Sequence, residues 1–262
     1  MKRLSLFLIL FFLFSCKQRF YRASSHSMEE TIMAGEAFYT EPSNKFEKND
    51  IVVFNYFGPD YGTPAEEPGK YNMHWEKRIY RLIAYSDDTV EIKNGEVFVN
   101  LRHIPLPPKA KMKYKVLSKV YIDEFSEIYP YANPPTKNGD TLEYIVDLTT
   151  EKAFDFEQKK PAIISVKKTP PLPADDTLYA KTSLSGNWSS NNYGPIRIPG
   201  PGETIFIDSV NFKLYHNIPG IKTGRYLLQE KLYFVLGDNR YGAEDSRFIG
   251  LIPQSKMYGI VK

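Results

Sequence analysis

Short runs of β-forming residues, separated by turn residues, fill most of the chain from Ala37 onward, as in "DIVVFNYF", "RIYRLIAY" and "KLYFVLGDNR". Such runs are typical of half-buried strands. Asn94-Gly95 lies between "TVEI" and "EVFVN", and this dipeptide is a strong signal for a tight hairpin turn. Aromatic residues make up 15% of the chain, and amphipathic helices of useful length are hard to find. We therefore expect a mainly β protein.

The N-terminus has the pattern of an export signal. Lys2 and Arg3 precede an apolar run, residues 4–14, that is followed by Ser15 and Cys16. A run of about 11 residues is shorter than the roughly 20 that a helix needs to cross a bilayer. "LFSC" resembles the cleavage site of bacterial lipoprotein precursors, which implies a lipid-modified Cys16. A short uncleaved anchor, or a cleaved signal with an incidental cysteine, are the alternatives, and all three place the rest of the chain outside the cytoplasm.

Composition excludes several classes of protein. The 34 basic and 31 acidic residues are spread along the chain without a basic block, so we expect no nucleic-acid partner. Cys16 is the single cysteine and cannot form an internal disulfide. The histidines have no metal-ligand spacing, so we expect no metal and no cofactor.

The chain changes character in its middle part, where segments rich in Pro, Lys and Asp surround weaker strands. We interpret this part as an inserted lobe. The predicted division is an export signal or lipid or membrane anchor at residues 1–16, a core in two parts at 17–105 and 201–262, and an insertion lobe at 106–200.

Five stretches occur in the order and approximate spacing of the motifs of one family. They are "SHSMEETI", "NDIVVF", "YRLIAYSDDTVEIKNGEVFVN", "NNYGPIRIP" with "GETI", and "VLGDNRYGAEDSRFIGLIP". Through them the chain resembles bacterial type I signal peptidases, membrane-bound serine proteases that remove signal peptides from exported proteins. The resemblance covers residues 24–103 and 187–262. It implies an antiparallel, barrel-like β core into which a second β-rich lobe is inserted.

By this resemblance Ser27 is the nucleophile, and its attack creates an oxyanion that needs fixed hydrogen-bond donors. Residues two apart on an extended backbone point to the same side. We therefore expect the Ser25 hydroxyl and the Ser27 backbone N–H to bind the oxyanion together.

The general base of this family is a buried lysine whose pKa is lowered by desolvation. A gap-free alignment places Tyr80 at that position. Lys77 supplies the family's Lys-Arg pair three residues earlier, which on a strand displaces it by about 10 Å and reverses the side that it faces. Three interpretations stay open: Lys77 as base, which needs a bulge or register shift, no functional lysine, or a phenolate base at Tyr80, whose ordinary pKa is near 10.

Other positions also depart from the family. Glu30 replaces a proline, Ala243 replaces a serine that helps to orient the lysine, and "AYSD" replaces a Gly-x-Pro-Gly turn. The last motif keeps polar residues that are expected to support the site without doing chemistry: Asp238, Arg240, Asp245, Ser246 and Arg247.

Two functions follow from these observations. The first is a membrane-attached serine endopeptidase that binds an extended segment of an exported precursor protein as an added strand and removes its signal peptide. The alternative is a catalytically impaired lipoprotein that keeps the peptide groove and acts as a binding or assembly module. In both, the expected partners are exported precursor proteins and the membrane.

Overall fold

The computed structural model describes residues 19–60, 72–128, 134–159, 162–169 and 188–262. The predicted export signal with Cys16 lies outside these residues, as do residues 170–187 of the predicted lobe. Within the described part, no helix is both long and apolar enough to span a bilayer.

The secondary structure is dominated by strands, with a few short helices. In chain order the elements are β1 (Arg19–Arg22), β2 (Ala37–Pro42), β3 (Ile51–Asp60), β4 (Asn72–Tyr85), β5 (Thr89–Lys93), β6 (Glu96–Val99), β7 (Arg102–Ile104), β8 (Lys111–Ser118), α1 (Asp123–Ile128), β9 (Thr136–Asn138), β10 (Thr141–Thr149), α2 (Thr150–Lys159), β11 (Ile163–Lys168), β12 (Tyr193–Arg197), β13 (Thr204–Ile207), α3 (Phe212–Tyr215), β14 (Gly224–Leu227), β15 (Leu232–Leu236), α4 (Ser246–Ile249), β16 (Ile252–Pro253), a 3₁₀ turn (Gln254–Lys256) and β17 (Met257–Val261).

A seven-stranded sheet carries the site described below. Its order is β1-β2-β17-β3-β4-β15-β16, and its strands pair antiparallel. Val52, Phe54, Leu82 and Val235 are buried in the apolar core on one of its faces, together with Met28. A strand that is apolar on its buried face is held in register, because a slip of one residue would turn that face to solvent. The mainly β, antiparallel prediction is confirmed.

Two smaller sheets complete the core. One has the order β12-β5-β6-β7, and β13 pairs with β14 in the other. The strand β12 lies within the range that the sequence assigns to the lobe, yet it pairs with β5. Tyr193 and Ile196 are buried there among core side chains, which accounts for this pairing. The sheets stay open, so the described residues form no closed barrel.

The middle of the chain forms a four-stranded sheet of its own, with the order β11-β8-β10-β9. One face of this sheet packs against α1 and α2. Phe125 and Phe156 are buried there with Tyr144, and the ring centroids of the two phenylalanines lie 4.7 Å apart. The inserted sheet therefore has a separate apolar core, into which α2, a ten-residue helix, contributes one face.

The predicted Asn94-Gly95 hairpin is present between β5 and β6, where Lys93 pairs with Glu96. Both turn residues have positive φ, 52° at Asn94 and 80° at Gly95, as a type I′ turn requires. Glycine adopts this conformation without the steric cost that a Cβ brings.

Replacing Gly95 with alanine is expected to lower the free energy of unfolding by about 1 kcal/mol, because the added Cβ is strained at this φ. Urea denaturation followed by circular dichroism measures the change. The matched control is Asn94→Gly, which relieves positive φ at the neighbouring position and should not destabilise the protein. Equal stabilities of the two variants would contradict the turn geometry.

Candidate active site

A cleft of about 550 Å³ opens along one side of β4. Its walls are the segment before and at Ser27, the first half of β4 and the turn that follows β15. The lining residues are Ala23, Ser24, Ser25, Ser27, Met28, His74, Glu76, Lys77, Arg78, Ile79, Tyr80, Gly242 and Glu244. Both predicted serines therefore border one cavity that is large enough for several residues of a peptide.

The two serine hydroxyls meet at the base of this cleft. Ser25 Oγ donates a hydrogen bond to Ser27 Oγ at 3.1 Å. The sequence predicts an extended backbone here, but the backbone turns, with Glu29 N donating to the carbonyl oxygen of His26 at 3.3 Å. The hydroxyls converge because of this turn, which we call the Ser27 loop (residues 25–31).

The Ser27 loop is fixed against the end of β15. Asn239 N donates to the carbonyl oxygen of Ser27 at 3.0 Å, and Asn239 Nδ2 donates to that of His26 at 3.1 Å. A Cβ at Gly237 would lie 2.6 Å from the Ser27 carbonyl oxygen, so a side chain at position 237 would displace the loop. The glycine of the "GDN" motif therefore allows the backbone of the loop to approach the sheet.

Tyr80 occupies the position next to Ser27. Burial raises the pKa of Tyr80 to about 12, against the lowering effects of the Arg78 charge and of a hydrogen bond with the Ser27 side chain. The phenol itself donates to the backbone carbonyl of Glu244 at 3.0 Å. The proton of the Tyr80 phenol is therefore directed at a carbonyl oxygen, which cannot act as a base for Ser27.

Lys77 borders the same cleft, but its ammonium group lies on the other face of β4. Lys77 Nζ donates to Asn55 Oδ1 at 2.8 Å and lies 4.4 Å from the ring centroid of Tyr258. The register between β3 and β4 is unbroken from Asn72 to Arg81, so no bulge turns Lys77 towards the side of Tyr80. The geometry does not bring Lys77 and Ser27 together, and the role of Lys77 as a base stays a prediction.

An ionic network covers the cleft side of β4 next to Tyr80. Arg78 pairs with Glu76 and with Glu244, and its guanidinium lies 4.1 Å from the ring centroid of Tyr56. Burial acts to lower the pKa of Arg78, but the neighbouring Tyr80 and Glu76 raise it above the usual value. The charged group beside Ser27 is therefore a permanent cation that cannot serve as a base.

Asp238 ties the Ser27 loop to β4. The carboxylate is fully buried and accepts from Arg81 Nε at 2.9 Å and from Arg81 Nη2 at 2.6 Å. The Thr31 hydroxyl of the Ser27 loop donates to the same carboxylate. One buried charge therefore connects the loop, β4 and the end of β15.

Asp245 and Arg247 form a second buried pair, with Arg247 Nε and Nη2 donating to the two carboxylate oxygens at 2.8 and 2.7 Å. Asp245 also caps α4 and accepts from Gly237 N at 3.0 Å. Ser246 Oγ accepts from Val235 N at 2.9 Å. These contacts hold the turn between β15 and α4, on which Gly242 and Glu244 line the cleft and Ala243 is buried in the core.

Arg240 is buried between these two pairs. Its carbonyl oxygen accepts from Arg247 Nη2 at 2.6 Å, and burial together with the Arg247 charge lowers the pKa of Arg240 to about 10. Arg240 therefore belongs to the supporting polar cluster, and it is not among the residues that line the cleft. Among the described residues there is no group of three or more His, Cys, Asp or Glu side chains suited to hold a metal.

Sequence reasoning missed the contacts that two acidic residues of the Ser27 loop make. Glu29 pairs with His26 and with Lys111, and Glu30 pairs with Lys152. The replacement of the family's proline by Glu30 is visible in the sequence. Its partner is not, since Lys152 is 122 positions away and is brought close only by the fold.

A β fold with paired serines beside a peptide-sized cleft is the framework of a serine peptidase of the signal-peptidase type. A family model described as signal peptidase, peptidase S26, matches residues 2–262. The chain therefore belongs to the signal peptidase family, and the resemblance seen in its motifs is confirmed. A search of curated proteins finds no match.

Replacing Asp245 with asparagine is expected to cost about 3–5 kcal/mol of stability, because it leaves the buried Arg247 charge unpaired. The matched control is Glu203→Gln, which removes the partner of Arg197 on the surface, where solvent screens the pair and the loss should be small. Chemical denaturation of both variants gives the comparison. A loss at Asp245 no larger than at Glu203 would contradict a supporting role for this pair.

Proposed function

We propose that this member of the signal peptidase family binds an extended segment of an exported precursor protein in the cleft beside Ser27 and holds it without efficient hydrolysis. The observation that carries this proposal is the environment of Ser27. Tyr80 borders the cleft beside this serine, burial keeps its phenol protonated, and the phenol donates to the Glu244 carbonyl oxygen. With a pKa of about 12, only about one Tyr80 in ten thousand would be ionised at pH 8, which is too few for an effective base.

The cleft retains what peptide binding needs. It has room for several residues, and the Ser25 and Ser27 hydroxyls offer polar contacts at its base. A peptide bound in an extended conformation would form backbone hydrogen bonds with the walls of the cleft, and every second side chain would point into the cleft. Substrates of the family are secreted precursor proteins. An extended segment from such a precursor is therefore the ligand we propose.

Hydrolysis of signal peptides by Ser27 is the second candidate. Family membership and the 3.1 Å contact between the serine hydroxyls favour it. The geometry of β4 opposes this function, because Lys77 would have to leave Asn55 and cross to the opposite face of β4 to reach Ser27.

The two candidates are separated by restoring a lysine at position 80. The purified full chain in detergent should bind a fluorescent peptide that spans a signal-peptide cleavage region, measured by anisotropy, and should not cut it. Tyr80→Lys places a desolvated amine next to Ser27 and should raise cutting at least about 100-fold above the background of the parent, the scale of general-base catalysis. Mass spectrometry of the products measures the rate.

Two control variants make this test specific. Tyr80→Lys combined with Ser27→Ala should lose the gained activity, and Lys77→Ala added to Tyr80→Lys should keep it, because Lys77 does not act as the base in that variant. If the parent itself cuts the peptide and both Ser27→Ala and Lys77→Ala abolish cutting, hydrolysis with Lys77 as base replaces our proposal.

We also propose that the protein is attached to the membrane on its extracytoplasmic side through a lipid-modified Cys16. The support is the sequence pattern, in which an apolar run and "LFSC" come shortly before the first of the described strands. A single lipid chain binds a membrane weakly and reversibly, whereas two or more give stable attachment.

Membrane attachment is tested with Cys16→Ser in the native host. The parent should sediment with membranes, and mass spectrometry of its mature N-terminus should show a lipid adduct on Cys16, whereas Cys16→Ser should lack the adduct and accumulate as the unprocessed precursor. An unmodified Cys16 in the membrane-bound parent would reject lipid attachment and favour the uncleaved anchor.

A further inference from the structure

The inserted sheet contacts the core at the Ser27 loop. Lys111 is the first residue of β8, and it forms a bridge with Asn239, three residues after the end of β15. Lys111 N donates to the Asp238 carbonyl oxygen at 2.8 Å, and Arg240 N donates to that of Lys111 at 3.2 Å. Asn239 N also donates to the Ser27 carbonyl oxygen. Asn239 therefore links the first strand of the lobe to the candidate nucleophile.

Lys111 also reaches the loop through its side chain. Its Nζ lies 3.1 Å from Glu29 Oε2, and the two side chains are 5% and 14% exposed, so this ion pair is largely shielded from solvent. Burial acts to raise the pKa of Glu29, but the His26 and Lys111 partners more than offset it and hold the pKa below its usual value. The loop residue therefore stays ionised and paired at neutral pH.

Glu30 makes the second connection to the lobe. Its carboxylate pairs with Lys152 on α2, and its backbone N donates to the Lys109 carbonyl oxygen at 3.3 Å. The Glu30 side chain is 25% exposed and that of Lys152 is 37% exposed, so this pair can be changed without opening the apolar core. In the signal-peptidase motif that the chain resembles, position 30 is a proline, whose ring would restrict the backbone by itself.

We propose that the inserted lobe is a clamp that positions the Ser27 loop, with Lys111 and Lys152 as positioning residues that act through Glu29 and Glu30. In this chain the lobe performs the stiffening for which a proline at position 30 would serve. The clamp rests on contacts within the protein alone. Its effect on peptide affinity rests, in addition, on the proposed function of the cleft.

The clamp is tested by hydrogen–deuterium exchange of the full chain without peptide. Lys152→Gln should raise the exchange of amides in the Ser27 loop about two- to five-fold, the scale of a partly exposed ion pair, while the strands of the core keep their protection. The charge-swapped double variant, Glu30→Lys with Lys152→Glu, should restore slow exchange, because the pair is re-formed with opposite polarity.

The matched control is Lys115→Gln, which breaks the Lys115–Glu143 pair between β8 and β10. The Lys115 side chain is 41% exposed, similar to Lys152, and its partner Glu143 does not belong to the Ser27 loop. The control should leave the loop unchanged. Unaltered loop exchange in Lys152→Gln, or equal increases in both variants, would overturn the clamp.

Peptide binding by the same variants gives a second and separate readout. Lys152→Gln should weaken the affinity of the fluorescent peptide by a factor similar to the increase in exchange, and the charge-swapped variant should recover it. Faster exchange in a protein that binds no peptide would leave the clamp standing and reject the proposed function. Faster exchange with unchanged peptide affinity would overturn the effect of the clamp on binding.

Discussion

The buried carboxylate of Asp238 is the interaction on which the arrangement of the site depends. Arg81 holds it from β4 with two donors, and Thr31 holds it from the Ser27 loop. A fully buried charge tolerates the loss of a partner poorly, because the desolvation it has already undergone is no longer offset. Ser27 is therefore placed relative to β4 by a directional, charged contact, and apolar packing of the loop residue Met28 adds to it. A site held in this way keeps its shape whether or not chemistry takes place in it.

The alternation of side chains along β4 explains why Tyr80 and Lys77 have different surroundings. Successive side chains of β4 point to opposite faces, so Tyr80 and Lys77, three positions apart, direct their polar ends to different partners although both border the cleft. Tyr80 faces Ser27 and is buried, which suppresses its ionisation. Lys77 faces Asn55 and Tyr258, where its Nζ donates to the amide oxygen and lies 4.4 Å from the centroid of the aromatic ring. Tyr80 therefore keeps its proton, and the ammonium group of Lys77 is directed away from Ser27, so neither residue is placed to accept the serine proton.

Much of the fold could be predicted from the sequence, because local signals agree with the tertiary structure. The Asn94-Gly95 turn and the alternating strands are local features, and the motif around Asp245 encodes its own capped turn. The side of β4 on which Lys77 lies could be anticipated from the period of two, but the absence of a bulge could not. The turned backbone at Ser25 and the partners of Glu29 depend on contacts between distant segments, which no local pattern contains. For the same reason the pairing of β12 with β5 was missed, since its register is decided by burial in the core.

The acidic residues of the Ser27 loop and the missing lysine fit one physical argument. A serine that is activated by a lysine needs that amine in its neutral form, and permanent charges close to it would shift its protonation. This loop instead has two carboxylates within three residues of Ser27, each paired with a lysine of the inserted lobe. Under the proposed function, in which Ser27 has no working base, these carboxylates stabilise the loop without acting on a base. Peptide binding without hydrolysis requires only a rigid binding surface. A loop that is already ordered in the free protein loses little further conformational entropy when the peptide binds. Glu30 in place of a proline therefore suits a loop that is held by contacts with the inserted lobe better than a loop that is rigid by itself.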